Sequence, residues 1–233
     1  MNTFVHRYEL DTSRPTSREF WRDLGMRAAL PAVGLWLVIV GLGFLITGPL
    51  DNLPGEKAVS EWFVSIRTPA LNDVTSVISQ IGNTPIVVTL AFLTMAALLI
   101  WTRQWWFAVI PGLAIGLQAA VFLTSSLVVG RERPDVDHLD DAPPTSSYPS
   151  GHTGASTALY VTLALVAQRI PNRALRVVVT VLLLLAPLTM GTARLYRGMH
   201  SLSDVLVGLA NGIVCALLAW NYLRRDVRSA SAG

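Results

Sequence analysis

The sequence predicts an all-α, polytopic membrane protein with six transmembrane helices and an active site at the outer membrane face. Three observations carry this. Charged residues make up 14 % of the 233-residue chain, against roughly 25 % in soluble domains. Hydrophobic residues make up 52 %, and six apolar runs approach the roughly 20 residues a bilayer demands. The basic residues are also distributed unevenly between the segments that join those runs. Such a chain is neither disordered nor a soluble globular domain, which needs more surface charge. A single cysteine, Cys215, excludes an internal disulfide framework and a multi-cysteine metal site.

The six runs are 28–50, 85–101, 105–129, 151–168, 174–193 and 203–223. Backbone groups in lipid must be satisfied within their own segment, so each run is expected to be a helix. The first is too long for a signal-peptide core and follows a polar arm, so it reads as a retained anchor. The organisation is then an arm at 1–27, a six-helix domain at 28–223 and a tail at 224–233. Phe20, Trp21 and Leu24 let the arm lie as an interfacial helix, with a disordered tail the alternative. Between the first two spans, residues 56–66 can form a short amphipathic helix lying on the membrane.

Of the 18 basic residues, twelve fall in the arm, the second and fourth connections and the tail, Arg225 and Arg228 among them. Those twelve belong in the cytoplasm by the positive-inside rule, so both termini are expected inside. Six remain outside: Lys57, Arg67, Arg131, Arg133, Arg194 and Arg197. Four of these sit in two short segments that topology does not explain.

Three outer segments can share one pocket: Gly130-Arg131-Glu132-Arg133-Pro134, Tyr148-Pro149-Ser150-Gly151-His152, and the stretch from Arg194 to His200 and Asp204. Arginine is an always-charged planar donor that matches phosphate oxygens two at a time. Ser150-Gly151-His152 opens a helix, whose free N–H groups bind anions. Gly151 lets a ligand approach the backbone, and the Ser150 hydroxyl can cap the helix or bind phosphate. His200 and Asp204 are four apart and share a helix face. An aspartate that accepts from one ring nitrogen leaves the other free to attack. His152 then remains to protonate the leaving oxygen. Each residue alone has a plainer explanation, such as an interfacial anchor for Arg131 or Arg197, or a helix start for Ser150. Their co-occurrence on one face does not. His138 and the aspartates of 135–141 read as solvated loop residues.

Arg-Pro, Pro-Ser-Gly-His and Arg-x5-His-x3-Asp, in this order, resemble the tripartite signature of the type 2 phosphatidic acid phosphatase (PAP2) superfamily, in its bacterial membrane lipid phosphatase branch. The resemblance spans about 123–208. It implies that Arg133, Ser150, Gly151 and Arg194 hold phosphate, that His152 is the general acid, and that His200 is a nucleophile oriented by Asp204. There are two departures. The family's lysine seven residues before the Arg of Arg-Pro is Ser126 here, and the serine before the third-segment arginine is Ala193. Arg131 is expected to replace part of the missing charge.

The resemblance implies an integral membrane phosphatase that hydrolyses a lipid phosphate through a phosphohistidine. No cofactor, metal or nucleic acid is expected, and activity should survive EDTA. Substrate classes are polyprenyl (undecaprenyl) diphosphate, phosphatidylglycerol phosphate and phosphatidic acid, with the isoprenoid diphosphate slightly favoured by analogy. The alternatives are a lipid phosphotransferase using the same histidine, and a weakly active or non-catalytic lipid-phosphate binder.

Overall fold

The computed structural model describes residues 3–224. Most of the expected tail, Arg225 and Arg228 included, lies outside the described residues. Among those described there is no strand. Two short helices, α1 (Arg7–Leu10) and α2 (Ser17–Leu24), open the chain. A π-turn at Gly25–Ala29 joins α2 to α3 (Leu30–Thr47) without interruption. Two helices follow in the connection between the first two spans, α4 (Gly55–Ser65) and α5 (Pro69–Ile81). Then come α6 (Thr84–Thr102), the short α7 (Trp105–Ala108), α8 (Ile110–Val129), α9 (Gly151–Ala167), α10 (Arg173–Tyr196) and α11 (Leu202–Trp220).

Five helical stretches among the described residues are long and apolar enough to cross a bilayer: Ser17–Thr47, Thr84–Thr102, Trp105–Val129, Arg173–Tyr196 and Leu202–Trp220. Large side chains such as Leu37, Phe92, Leu127 and Leu182 are exposed along them. An apolar surface of this extent needs lipid or protein against it. The remaining expected span, α9, has 17 residues and is about 26 Å long.

α9 packs against α6, α8, α10 and α11. Its inward face is made of small residues, including Thr153, Gly154, Thr157, Ala158 and Ala164. α11 meets it with Gly208 and Gly212. A Cβ on Gly208 would lie 2.7 Å from the Ser150 carbonyl oxygen. Lipid tails are as apolar as leucine, so helices in a membrane associate through such close contact rather than through hydrophobic burial. The start of α9 is thereby pressed against the start of α11, and the second and third signature segments meet there.

The arm and the connection between the first two spans differ from expectation. The arm folds back on the bundle: the Tyr8 hydroxyl donates to the Trp220 carbonyl at 3.0 Å, and Tyr8 stacks on Phe107 at 5.0 Å. An aromatic cluster at the ends of α7 and α11 gives the arm a place to bury these rings. α2 follows, with Thr16 and Glu19 forming a capping box, and runs straight on into α3. The helix expected at 56–66 is α4, but it packs on α10 and α11 rather than on the membrane alone. Its buried residues are polar, Glu56 and Ser60. A stripe of that kind needs protein partners. α5 was not expected. Its signals were legible: Thr68 caps the helix by accepting from the Leu71 N–H, Pro69 stands in its first turn, and Leu71, Val74, Val77 and Ile81 recur at helical spacing.

Candidate active site

α8 stops at Gly130, whose φ of +65° makes the left-handed turn a side chain would resist. That turn sends Arg131 and Arg133 to different places. Arg133 donates to the Met199 carbonyl at 2.6 Å and to the Thr145 carbonyl at 3.2 Å. It lines a cavity of about 370 Å³ together with Gly151, His152, Arg194 and His200. The cavity continues between α6 and α8 along Val87, Val88, Ile115, Ala119, Phe122 and Leu123. One end is cationic and most of the remaining lining is apolar, which matches an anionic headgroup with a hydrocarbon tail.

Arg194 is buried in the cavity wall. Its Nη1 donates to Asp140 at 2.7 Å and to Ser79 of α5 at 2.5 Å. Its Nε has no hydrogen-bond partner. An unpaired buried guanidinium N–H is costly unless a ligand meets it. Asp140 was read as solvated, but it also pairs with Arg197 at 2.6 and 2.8 Å. Burial pushes its carboxyl pKa up, while Arg197 and Arg194 outweigh burial and hold it below the usual value. Sequence spacing could not reveal this, because the loop carries several equivalent aspartates. His138 stays exposed, near the Pro134 carbonyl.

His200 is 4 % exposed and sits between α10 and α11. Its Nδ1 lies 2.7 Å from the Ser147 carbonyl. A carbonyl only accepts, so Nδ1 carries the proton and Nε2 keeps its lone pair. Burial, then the charges of Arg194 and Arg133, hold the His200 pKa well below 6.5. The imidazole is therefore neutral at physiological pH. Asp204 is 3.9 Å from Nδ1, beyond hydrogen-bond reach. Its oxygens accept instead from Arg131, from the Ser147 hydroxyl at 2.5 Å and from the Ser201 N–H at 2.8 Å. The sequence spacing gave the i, i+4 proximity but not the intervening serine.

His152 opens α9 and faces Asn83 at 3.3 Å. Gly151 lines the cavity, and a Cβ there would lie 2.6 Å from the Phe122 ring. Packing alone therefore excludes a side chain. Ser150 is fully buried: its hydroxyl pairs with Thr153 at 2.9 Å, and its N–H donates to the Asp204 carbonyl at 2.9 Å. It does not line the cavity; in this structure it locks α9 to α11. Arg131 is likewise absent from the cavity wall. Its donors go to Asn52, Glu56, Ser203 and Asp204, and none is left for a phosphate. Ser126, where the family has lysine, accepts from the Ser146 N–H at 3.0 Å beneath the cavity. Ala193 is buried. Among the described residues, no group of three or more His, Cys, Asp or Glu is arranged to hold a metal ion.

A helical bundle that carries these three segments around one cationic, lipid-shaped cavity has the build of a PAP2-type membrane protein. The PAP2 superfamily model matches residues 117–228. Phosphatidylglycerophosphatase B of Bacillus subtilis (strain 168) is 28 % identical over 173 residues, covering 70 % of this chain and 80 % of that protein. The crystal structure of a transmembrane PAP2 type phosphatidylglycerolphosphate phosphatase from Bacillus subtilis has a TM-score of 0.70 at 25 % identity, covering 81 % of this chain and 93 % of that one. Aquifex aeolicus LpxE shares the fold, with a TM-score of 0.54 at 23 % identity over 70 % of this chain and 92 % of that one.

Proposed function

We propose that the protein is an integral membrane lipid phosphatase. Six spans, α9 among them, would carry both termini in the cytoplasm and the cavity outside. The observation that carries the reading is the cavity itself: Arg133, Arg194, His152 and His200 converge at the mouth of an apolar groove, and Arg194 holds a buried, unpartnered Nε–H. The substrate phosphate lies between the two arginines and the start of α9, with the lipid tail between α6 and α8. His200 Nε2 forms the bond to phosphorus as the bond to the lipid oxygen breaks. His152 gives its proton to that oxygen. Water then attacks the phosphohistidine, His152 takes the water's proton, and phosphate leaves. Phosphoryl transfer depends mainly on positioning and charge stabilisation, and the arginines supply the positive charge without a metal.

Similarity to a phosphatidylglycerophosphatase brings phosphatidylglycerol phosphate to the front of the substrate classes, ahead of the isoprenoid diphosphate. The test is phosphate release from a panel of lipid phosphates in mixed micelles containing EDTA. Wild type should release phosphate, and His200→Ala should lose about 10⁴-fold or more of that rate while melting normally. Retained turnover in His200→Ala removes the assigned nucleophile, and loss of wild-type activity on chelation removes metal independence.

A further inference from the structure

Arg131 sits in a buried chain of charges that starts outside the signature. Its Nη2 donates to Glu56 of α4 at 2.8 Å, and its Nη1 donates to Asp204 at 2.6 Å. The side chains of Arg131, Glu56 and Asp204 are 4 %, 11 % and 0 % exposed. Glu56 also accepts from the backbone N–H and the hydroxyl of Ser203, in the first turn of α11. On the far side of Asp204, the Ser147 hydroxyl donates to its carboxylate, and the carbonyl of the same Ser147 holds His200 Nδ1. The contacts therefore run without a break from Glu56 through Arg131, Asp204 and Ser147 to His200.

Two features argue that this chain does more than hold the fold together. Burying three charges carries a desolvation penalty that apolar side chains of the same volume would avoid, so a buried ion triad is a poor device for stability alone. The backbone that delivers it is strained as well. Asp51, Asn52 and Leu53 are consecutive non-glycine residues with φ of +46°, +55° and +57°. Such a conformation persists only where the surroundings enforce it, and it gathers at functional sites. Here it aims the Asn52 carbonyl and side chain at Arg131, and it starts α4 with Glu56 facing inward.

We propose that Glu56, Arg131 and Ser147 are positioning residues for His200, so that the docked outer helix α4 is part of the catalytic machinery and Arg131 is not a phosphate ligand. Glu56 fixes one edge of the guanidinium, which squares the other edge to Asp204. Asp204 fixes Ser147, whose carbonyl sets the histidine's tautomer and direction. This rests on the phosphatase reading above.

The test is single-turnover phosphate release with enzyme in excess, which reads a rate constant rather than the number of folded molecules. It is run on Glu56→Gln and Ser147→Ala, with inhibition by inorganic phosphate measured alongside. Misaiming a nucleophile by about 1 Å costs about 100-fold. Each variant should slow the single turnover by about 10- to 100-fold, with the phosphate inhibition constant within about two-fold of wild type. The double variant should be about as slow as the slower single, because the residues act in series. Ser147→Ala removes one hydroxyl and keeps the test alive if Glu56→Gln does not fold. An unchanged rate constant in either folded variant overturns the proposal. So does weakened phosphate inhibition, which would return Arg131 to the phosphate. If wild type releases phosphate from no lipid, the phosphatase reading has failed; if wild type turns over and the variants match it, only the positioning chain has.

Discussion

Arg131 and Arg133 leave the same short turn after α8, yet their guanidiniums enter different halves of the site. On one side, Arg131 lies between Glu56 and Asp204, and all its nitrogens donate to protein. On the other, Arg133 and Arg194 line the cavity; Arg133 meets only two backbone carbonyls, and Arg194 keeps an unpartnered Nε. The difference teaches that a basic residue's role follows from where its counter-charges are. Two carboxylates make Arg131 a strut. Of the cavity arginines, Arg194 meets one partly exposed carboxylate, Asp140, which Arg197 also engages, and Arg133 meets none, so the pair retains capacity for an anion.

If that division holds, Arg194→Ala should be the most damaging change among the arginines. On the proposed mechanism it removes a cation from beside the developing phosphoryl charge, and a loss of one such contact costs about 10²- to 10³-fold in rate. Steady-state kcat/KM should fall in that range, and inorganic phosphate should inhibit less. A kcat/KM within two-fold of wild type would dissolve the contrast between the two halves.

Ser126→Lys runs the comparison the other way, adding a charge to the cavity side. The new side chain has to pass Ser146, which lines the cavity. One added phosphate contact of about 1.4 kcal/mol would raise kcat/KM about ten-fold. A gain in turnover with tighter phosphate inhibition sharpens the assignment, and no gain separates this site from a charge-limited one.

The smallest effect concerns pH. Burial and the two cavity arginines keep His200 neutral until well below pH 6.5. The acid limb of kcat/KM that belongs to the nucleophile should therefore lie below 6.5. Arg133→Gln removes a nearby cation, so the imidazolium becomes easier to form and the limb should move to higher pH. The same depression makes stability rise with pH up to about 6.5, since the unfolded chain binds the proton that the folded chain refuses. A limb that stays put would mean that Arg133 does not act on His200 electrostatically.

The helical runs were readable because a bilayer accepts only long apolar helices. The three signature segments were readable because their residue types, internal spacing and order are unusual in combination. Asp140 and Glu56 were not readable. Each is one acidic residue among several in a connection, and only contacts 54 and 75 residues away distinguish them. Asp204 was half readable: the i, i+4 spacing put it beside His200, but the side chain turned to Arg131 and Ser147. Ser150 fits an anion-binding helix start by sequence as well as Gly151 does, but its hydroxyl pairs with Thr153, while Gly151 lines the cavity.

The sequence by itself determined the class of molecule, the order of its spans and the set of groups that could act on a phosphate, because those depend on residue type and local periodicity. The tertiary structure decided how those groups are divided. Whether an arginine meets phosphate or carboxylate depends on which buried charges face it, and these come from α4, α11 and a loop far apart in the chain. In a low-dielectric interior such neighbours fix the role, and no local spacing encodes them.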